Sequence, residues 1–395
     1  MNTPDFTAAH AVLQQAVDGR LLAGVSVAVW RHGEPADDWV TGQADIECGK
    51  PLRADHIHRA YSNSKLITSA LVLKLVDEGV LALDAPVSYW LPQLATLRVL
   101  TSGARTLDDT EPLRRPVTLR HLLTHQAGFS HGVFDPGSLL FEAYQARGVR
   151  RPDSTLAQLI DILAGLPLNY QPGEGWDYAL GCDVLGRVIE VATGQRFGDA
   201  LRSRLFAPLG MADTGFVLTE AQRPRLAAQY VGDLTNPLKP GLQRADALPW
   251  PGAYLQPVPR QSGAGGLFTT QADMGRLLEA LRPGSPGALL RPATLAALYT
   301  DQLPPGRRVN FPNLPVPDLG FGLGGAIART PGLLQPLGAL GELTWGGLAG
   351  THWWIHPARG WAGVLMTQRF MGYWNPFWWT YRYALWQAID AAERG

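Results

Sequence analysis

Residues 62–78 read Ser62-Asn63-Ser64-Lys65-Leu66-Ile67-Thr68-Ser69-Ala70-Leu71-Val72-Leu73-Lys74-Leu75-Val76-Asp77-Glu78. Leu66, Ile67, Ala70, Leu71, Leu73, Leu75 and Val76 leave almost no polar stripe, so the spacing predicts a helix buried nearly all round. Gly79 follows as its C-terminal cap. Ser62 and Lys65 stand three apart in the first turn and share a face. A serine hydroxyl is a weak nucleophile until a base takes its proton. Burial disfavours an ammonium, which makes a lysine on such a helix a candidate base. The helix N-terminus adds unpaired N–H groups and the positive dipole end, both suited to an oxyanion. A capping serine beside a solvated lysine has the same spacing. Two features favour chemistry: the chain's lysines are only Lys50, Lys65, Lys74 and Lys239, and unbroken apolar helix follows this one. Ser64 is the rival nucleophile, but its immediate neighbour Lys65 would not face it.

Outward from this helix, strand signals sit at the two chain ends and helices in the middle. Residues 7–18 have helical spacing. Gly24 to Trp30 is a β-rich run, His32-Gly33-Glu34 a turn, and Asp38 to Gly42 a second strand, which together predict a hairpin. Helices are expected from Thr118 to Leu123, Ser154 to Leu163, Cys182 to Ala192, Thr270 to Leu281 with Thr270 and Asp273 as a capping box, and Trp379 to Ala392. Thr235 to Pro259 is a proline-rich loop. Gly341 to Ile355 and Gly360 to Thr367 look like adjacent antiparallel strands. The expected fold class is α/β (α+β): an antiparallel sheet built from both chain ends and flanked by helices, with an inserted, mostly helical lobe. The expected division is an α/β lobe at about 1–80 plus 260–395 and a helical lobe at about 81–259. A nucleophile at the start of the buried helix would lie at the seam, where pockets form.

Composition removes several function classes. The 34 acidic and 34 basic residues cancel, so no charge excess directs the chain to nucleic acid or to a membrane surface. Met1-Asn2-Thr3-Pro4-Asp5 has neither a basic nor an apolar leader pattern, and no apolar stretch is long enough to span a bilayer, so the expected location is cytoplasmic. Cys48 and Cys182 are too few for a disulfide framework, and Cys182 reads as a buried structural thiol.

Two further motifs bear on chemistry. Tyr178 lies in Pro172-Gly173-Glu174-Gly175-Trp176-Asp177-Tyr178-Ala179-Leu180, just before a helix, and a phenol near cations can relay a proton to a leaving group. Trp345-Gly346-Gly347-Leu348 enters a strand, and its paired glycines let the backbone approach a ligand. The Leu348 N–H is a candidate second oxyanion donor. Taken singly, the first is also an ordinary loop tyrosine and the second an ordinary bulge.

Together and in this order, Ser-x-x-Lys, Pro-Gly-x-x-Trp-x-Tyr and Trp-Gly-Gly resemble the class C β-lactamase-like, penicillin-binding-protein-like serine hydrolases, most closely their family VIII carboxylesterase branch. The resemblance covers nearly the whole chain and includes Leu119-Arg120-His121-Leu122-Leu123-Thr124-His125-Gln126-Ala127-Gly128, Ser262 to Leu267, Phe321 to Gly324 and Gly363 to Gln368. It implies a β-lactamase/DD-peptidase-like fold and an acyl-enzyme on Ser62. Lys65 and Tyr178 would share base and acid duties as a coupled pair, and the backbone N–H groups of Ser62 and Leu348 would form the oxyanion hole.

The sequence departs from the β-lactamase pattern at two places. Leu180 stands where the family's tyrosine motif has asparagine, and Trp345-Gly346-Gly347 replaces a motif that usually opens with Lys or His. A β-lactam or a D-Ala peptide carries a carboxylate, which is costly to bury without a cation or hydrogen-bond partner. A neutral ester loses little, and Trp345 offers an apolar wall. The substrate-binding set is therefore Trp345, Gly346, Gly347 and Leu180, and the expected partner is a small-molecule ester with a short or medium acyl group. Amide hydrolysis, acyl transfer and, behind them, a non-catalytic binding role are the alternatives. His352 is a possible anion clamp. Gly128-Phe129-Ser130-His131-Gly132 matches the nucleophile elbow of α/β-hydrolases, but a helix precedes it where that elbow needs a strand. No cofactor or metal is expected: His56 with His58, and His121 with His125, lack a third ligand. Trp353, Trp354, Trp361, Trp374, Trp378, Trp379 and Trp386 are expected to pack a terminal helix on the sheet.

Overall fold

The computed structural model describes residues 3–311 and 316–395. Met1, Asn2 and the side chain of Trp374 lie outside the described part. Strands β1 (Gly24–Arg31), β2 (Glu34–Asp45) and β3 (Lys50–Pro51) come from the N-terminal end. Strands β4 (Leu319–Phe321), β5 (Ala326–Ala328), β6 (Leu343–Gly346), β7 (His352–His356) and β8 (Trp361–Thr367) come from the C-terminal end. They form one sheet in the order β4-β5-β6-β7-β8-β1-β2-β3, antiparallel throughout. The join between the two chain ends is β1 against β8, from Val25 opposite Thr367 to Arg31 opposite Trp361.

The hairpin from β1 to β2 closes with Arg31 opposite Glu34, and its two turn residues His32 and Gly33 have φ of 51° and 90°. Two consecutive positive φ values match the right-handed twist of paired strands. β2 runs longer than the expected 38–42. The run 341–355 is two strands, not one, because the chain reverses at 347–350, where Gly350 takes φ 77°.

Helices α1 (Thr7–Asp18), α2 (Ser64–Asp77), α3 (Leu119–Leu123), α4 (Leu139–Ala146), α5 (Leu156–Ala164), α6 (Gly181–Thr193), α7 (Gln271–Leu281) and α8 (Pro376–Arg394) carry most of the packing. α4 was not expected: it is two turns long, and the glycines at 137 and 148 break its pattern. The central strands β1, β7 and β8 are buried on both faces of the sheet, with period-two alternation. Val25, Val27, Val29, Trp354, Trp361 and Leu365 pack in one cluster with Leu13 of α1 and Trp378, Leu385 and Trp386 of α8. Trp353, Ile355, Val364 and Met366 belong to the larger core with Leu66 and Ile67 of α2 and Leu277 and Leu278 of α7. Trp354, Trp361, Trp378 and Trp386, with Trp379 beside them, therefore pack the terminal helix on the sheet as expected, whereas Trp353 faces the other core. Only α2, covered on all sides, has no polar face: every residue from Ser64 to Leu73 is buried.

Residues 215–246 are tied to the sheet side. Gly215 pairs with Phe268, Ala228 donates to the carbonyl of Ala44, and Tyr230–Val231 runs parallel to Arg369–Phe370. We propose the two-lobe division in that form, with this segment grouped with residues 1–80 and 260–395.

The C-terminal helix is also held by a buried ion pair. Arg382 of α8 donates to Glu342 Oε1 from Nη2 (2.7 Å) and Nε (3.2 Å), and Trp386 Nε1 donates to Glu342 Oε2 (2.9 Å). Burial pushes the Glu342 carboxyl up and the adjacent guanidinium opposes that shift. Glu342→Ala would leave Arg382 buried and uncompensated. The expected loss is about 3–5 kcal/mol in urea unfolding, and a change below about 1 kcal/mol would show that the pair adds little.

Candidate active site

Ser62 does not lie in the α-helix itself. It sits in a 3₁₀ turn, Tyr61–Asn63, that feeds directly into α2. The residue before it, Tyr61, has φ 45°, a left-handed conformation that a side chain resists. Its hydroxyl donates to Gln229 Oε1 at 2.8 Å, and the chain at Gly347 packs against it. A Cβ on Gly347 would stand 2.5 Å from the Ala60 carbonyl oxygen and 3.2 Å from Tyr61 Cβ, so only glycine fits there.

The three expected reactive side chains meet. Lys65 Nζ donates to Ser62 Oγ (3.3 Å) and to the carbonyl of Ala264 (2.7 Å). Tyr178 OH donates to Ser62 Oγ at 2.7 Å, and Trp345 Nε1 donates to Tyr178 OH at 3.3 Å. The Lys65 amine also stands 4.5 Å from the centre of the Tyr178 ring. Lys65 and Tyr178 are 4% and 7% exposed, whereas Ser62 is partly open. The nucleophile candidate is thus reachable and its partners are shielded.

Tyr178 is held from the side by two imidazoles. The Ala179 N–H donates to His125 Nδ1 (3.2 Å), and the His125 ring centre lies 4.8 Å from that of Tyr178. His131 stacks on the tyrosine ring, with centroids 5.1 Å apart and planes 13° apart. Burial, with the like charge of Lys65 adding to it, holds both histidines well below their usual range. They frame the phenol as neutral rings.

Ser62 opens into an apolar cavity walled by the rings of Phe134, Tyr178, Phe311, Trp345 and Tyr373 and bordered by Gly346 and Leu348. Among the described residues the Leu348 N–H has no hydrogen-bond acceptor. None of the described lining residues carries a cation. Of the expected binding set, Trp345 and Gly346 line this cavity. Leu180 does not: it caps the N-terminal end of α6 and is packed in the core. Gly347 sits behind the wall, against Tyr61. His352 is not a clamp either. It is 1% exposed, lies flat on Trp378 at 3.8 Å, and burial holds it well below its usual range.

Phe134, Phe311 and Tyr373 were not foreseen. Phe134 and Phe311 come from irregular segments and Tyr373 from a single 3₁₀ turn, Gly372–Trp374, with no periodicity and no motif to mark them. Among described residues, the proline-rich loop 235–259 contributes nothing to the cavity. Its Trp250 and Tyr254 pack on Phe268 instead.

Ser130 is 1% exposed, donates to Asp135 Oδ2 (2.8 Å) and accepts from the Gly132 N–H (2.8 Å). It follows α3 rather than a strand, so the elbow geometry is absent. Among the described residues no three His, Cys, Asp or Glu side chains assemble as metal ligands would. His121 serves α3: its Nδ1 accepts from the Thr118 N–H, completing a capping box. No described helix is long and apolar enough to cross a membrane.

The Beta-lactamase family profile matches residues 9–376. Esterase EstB of Burkholderia gladioli is 36% identical over 368 residues, covering 90% of this chain and 88% of its own. Lovastatin esterase of Penicillium rubens is 32% identical over 376 residues, covering 89% and 90%. Among solved structures, EstCE1, described as a hydrolase with promiscuous acyltransferase activity, superposes with a TM-score of 0.81 at 28% identity, covering 96% and 97%.

The two thiols differ sharply. Cys48 is exposed, while burial pushes the Cys182 thiol up to about 12. A disulfide reagent at pH 8 is expected to titrate one thiol per native chain and two in denaturant. Two fast-reacting native thiols would contradict the packing around Cys182.

Proposed function

The chain belongs to the beta-lactamase family, and from that premise we propose that it is a serine carboxylesterase working through an acyl-enzyme on Ser62. One observation carries the reading: Ser62 Oγ lies within 3.3 Å of both Tyr178 OH and Lys65 Nζ, at the edge of an uncharged aromatic cavity. The Ser62 oxygen attacks the ester carbonyl while its proton passes to the Tyr178–Lys65 pair. The N–H groups of Ser62 and Leu348 receive the oxyanion. The pair then protonates the departing alkoxide, which leaves as the alcohol. Water deprotonated by the same pair attacks the acyl-enzyme, releasing the acid and restoring Ser62.

The cavity walls support a neutral ester. A substrate carboxylate placed among Phe134, Phe311, Trp345 and Tyr373 would be desolvated without a cation to meet it. Short or medium acyl chains suit walls built of rings. The similarity to a hydrolase that also transfers acyl groups favours a second reading, in which an acceptor alcohol competes with water. Such an alcohol would then raise total turnover. Cytoplasmic residence is also part of the proposal, and two unpaired cysteines accord with it.

Parallel initial rates on p-nitrophenyl butyrate and nitrocefin test the main reading. Ester cleavage is expected to fall roughly 10³-fold or more in Ser62→Ala and to stay near the wild-type level in Ser130→Ala. The reverse pattern would move the nucleophile to Ser130. Nitrocefin turnover is expected to be negligible, and strong turnover would mean that some other group binds the carboxylate. Trp345→Phe keeps the wall but removes the hydrogen bond to Tyr178, so kcat is expected to fall roughly 3- to 10-fold. An unchanged kcat would reduce Trp345 to a wall residue.

A further inference from the structure

Asp183 lies on the first turn of α6, three residues beyond Leu180, and is 3% exposed. A buried carboxyl group needs partners, and these are specific. Its Oδ1 accepts from Ser262 Oγ at 2.6 Å and from the Ala264 N–H at 3.2 Å. The carbonyl of the same Ala264 accepts from Lys65 Nζ at 2.7 Å. One residue of backbone thus separates the Asp183 oxygen from the Lys65 amine. On the far side, Thr68 Oγ1 donates to the Gly263 carbonyl (2.8 Å) and the Leu267 N–H donates to Ser64 Oγ (3.2 Å), fastening the segment to α2. The path between the helices is tight. A Cβ on Gly263 would stand 2.5 Å from the Cys182 carbonyl oxygen and 3.0 Å from Thr68 Oγ1.

From this arrangement we infer that Asp183 is a positioning residue for Lys65. Among the described residues the other acceptor of the Lys65 amine is Ser62 Oγ, at the longer distance of 3.3 Å. The place of the Ala264 carbonyl therefore decides where the amine sits relative to the nucleophile. α2 carries Lys65 and continues from the turn that holds Ser62, and α6 follows directly on the Tyr178 loop. Segment 262–264 is the wedge between them, with Asp183 holding it from the α6 side. An error of about 1 Å in a reacting group can reduce rate on the order of 10²-fold, so Asp183 influences acylation without touching substrate. The lone match to Asp183 in the sequence is its place five residues after Tyr178, which by itself carries no chemical signal.

The inference rests on Lys65 as the base of Ser62, and a double-mutant cycle separates the two claims. The readout is the second-order rate of labelling by a fluorophosphonate probe, followed over hours so that slow variants remain measurable. Lys65→Ala is expected to slow labelling sharply; if it does not, the assignment of Lys65 fails. Asp183→Ala is expected to slow labelling roughly 10- to 100-fold when Lys65 is present and less than about 3-fold in the Lys65→Ala background. Equal losses in both backgrounds would show that Asp183 acts only on overall structure and would overturn the inference. Asp183→Asn keeps an oxygen acceptor facing Ser262 and Ala264, and is expected to recover labelling to within about 5-fold of wild type. Should Asp183→Ala not fold, Asp183→Asn and Ser262→Ala take its place in the same cycle. Losses in these variants that are independent of Lys65 would again overturn it.

Discussion

An amine enclosed by protein must find acceptors, and the geometry of this site follows from how Lys65 finds its own. Helix α2 is buried over almost its whole length, and among the described residues the helix and the turn that enters it offer the lysine amine only Ser62 Oγ. The second acceptor, the Ala264 carbonyl, comes from a segment two hundred residues away in the chain. That segment can reach α2 only because small residues line it and because Asp183 pins its other side. The Tyr178 ring then closes over the amine. Lobe packing and active-site geometry are here the same set of contacts.

The same economy governs the substrate cavity. The Trp345 indole donates to the Tyr178 hydroxyl and also forms a wall, so one side chain would orient the proposed proton relay and adds no charge to the pocket. Buried His125 and partly buried His131 both contact Tyr178, yet desolvation holds both well below their usual range, which leaves Lys65 as the cation candidate in contact with Ser62. An active site with this electrostatic character favours neutral acyl donors. In the proposed mechanism the rings around Ser62 would also limit water near an acyl-enzyme, which would link ester hydrolysis to acyl transfer in physical terms.

Legibility in the sequence divides by the kind of signal. The hairpin of β1 and β2, helices α1, α2 and α6, and the strands near the C-terminus each carry a local period, a cap or a turn pair. Their existence could be read, while the split of 341–355 into two strands depended on a turn at 347–350 that alternation alone conceals. Helix α4 had too few residues for a period to register. Leu180 illustrates a different failure. Its place in a motif suggested contact with substrate, but the first turn of α6 rotates it into the core. His352 looked available as a cation until stacking on Trp378 buried it.

The amino-acid sequence by itself determined that Ser62 and Lys65 share a helix start, that this helix is buried, and that both chain ends supply one sheet. These are consequences of spacing within a few turns or strands, where backbone geometry leaves little choice. The tertiary structure alone decided which rings wall the cavity, that Tyr178 reaches Ser62, and that Asp183 braces the acceptor of Lys65. Phe134, Tyr178, Phe311 and Tyr373 reach the site from segments more than fifty residues from Ser62. Their positions depend on how separate helices and strands pack, and no local period in the chain encodes that packing.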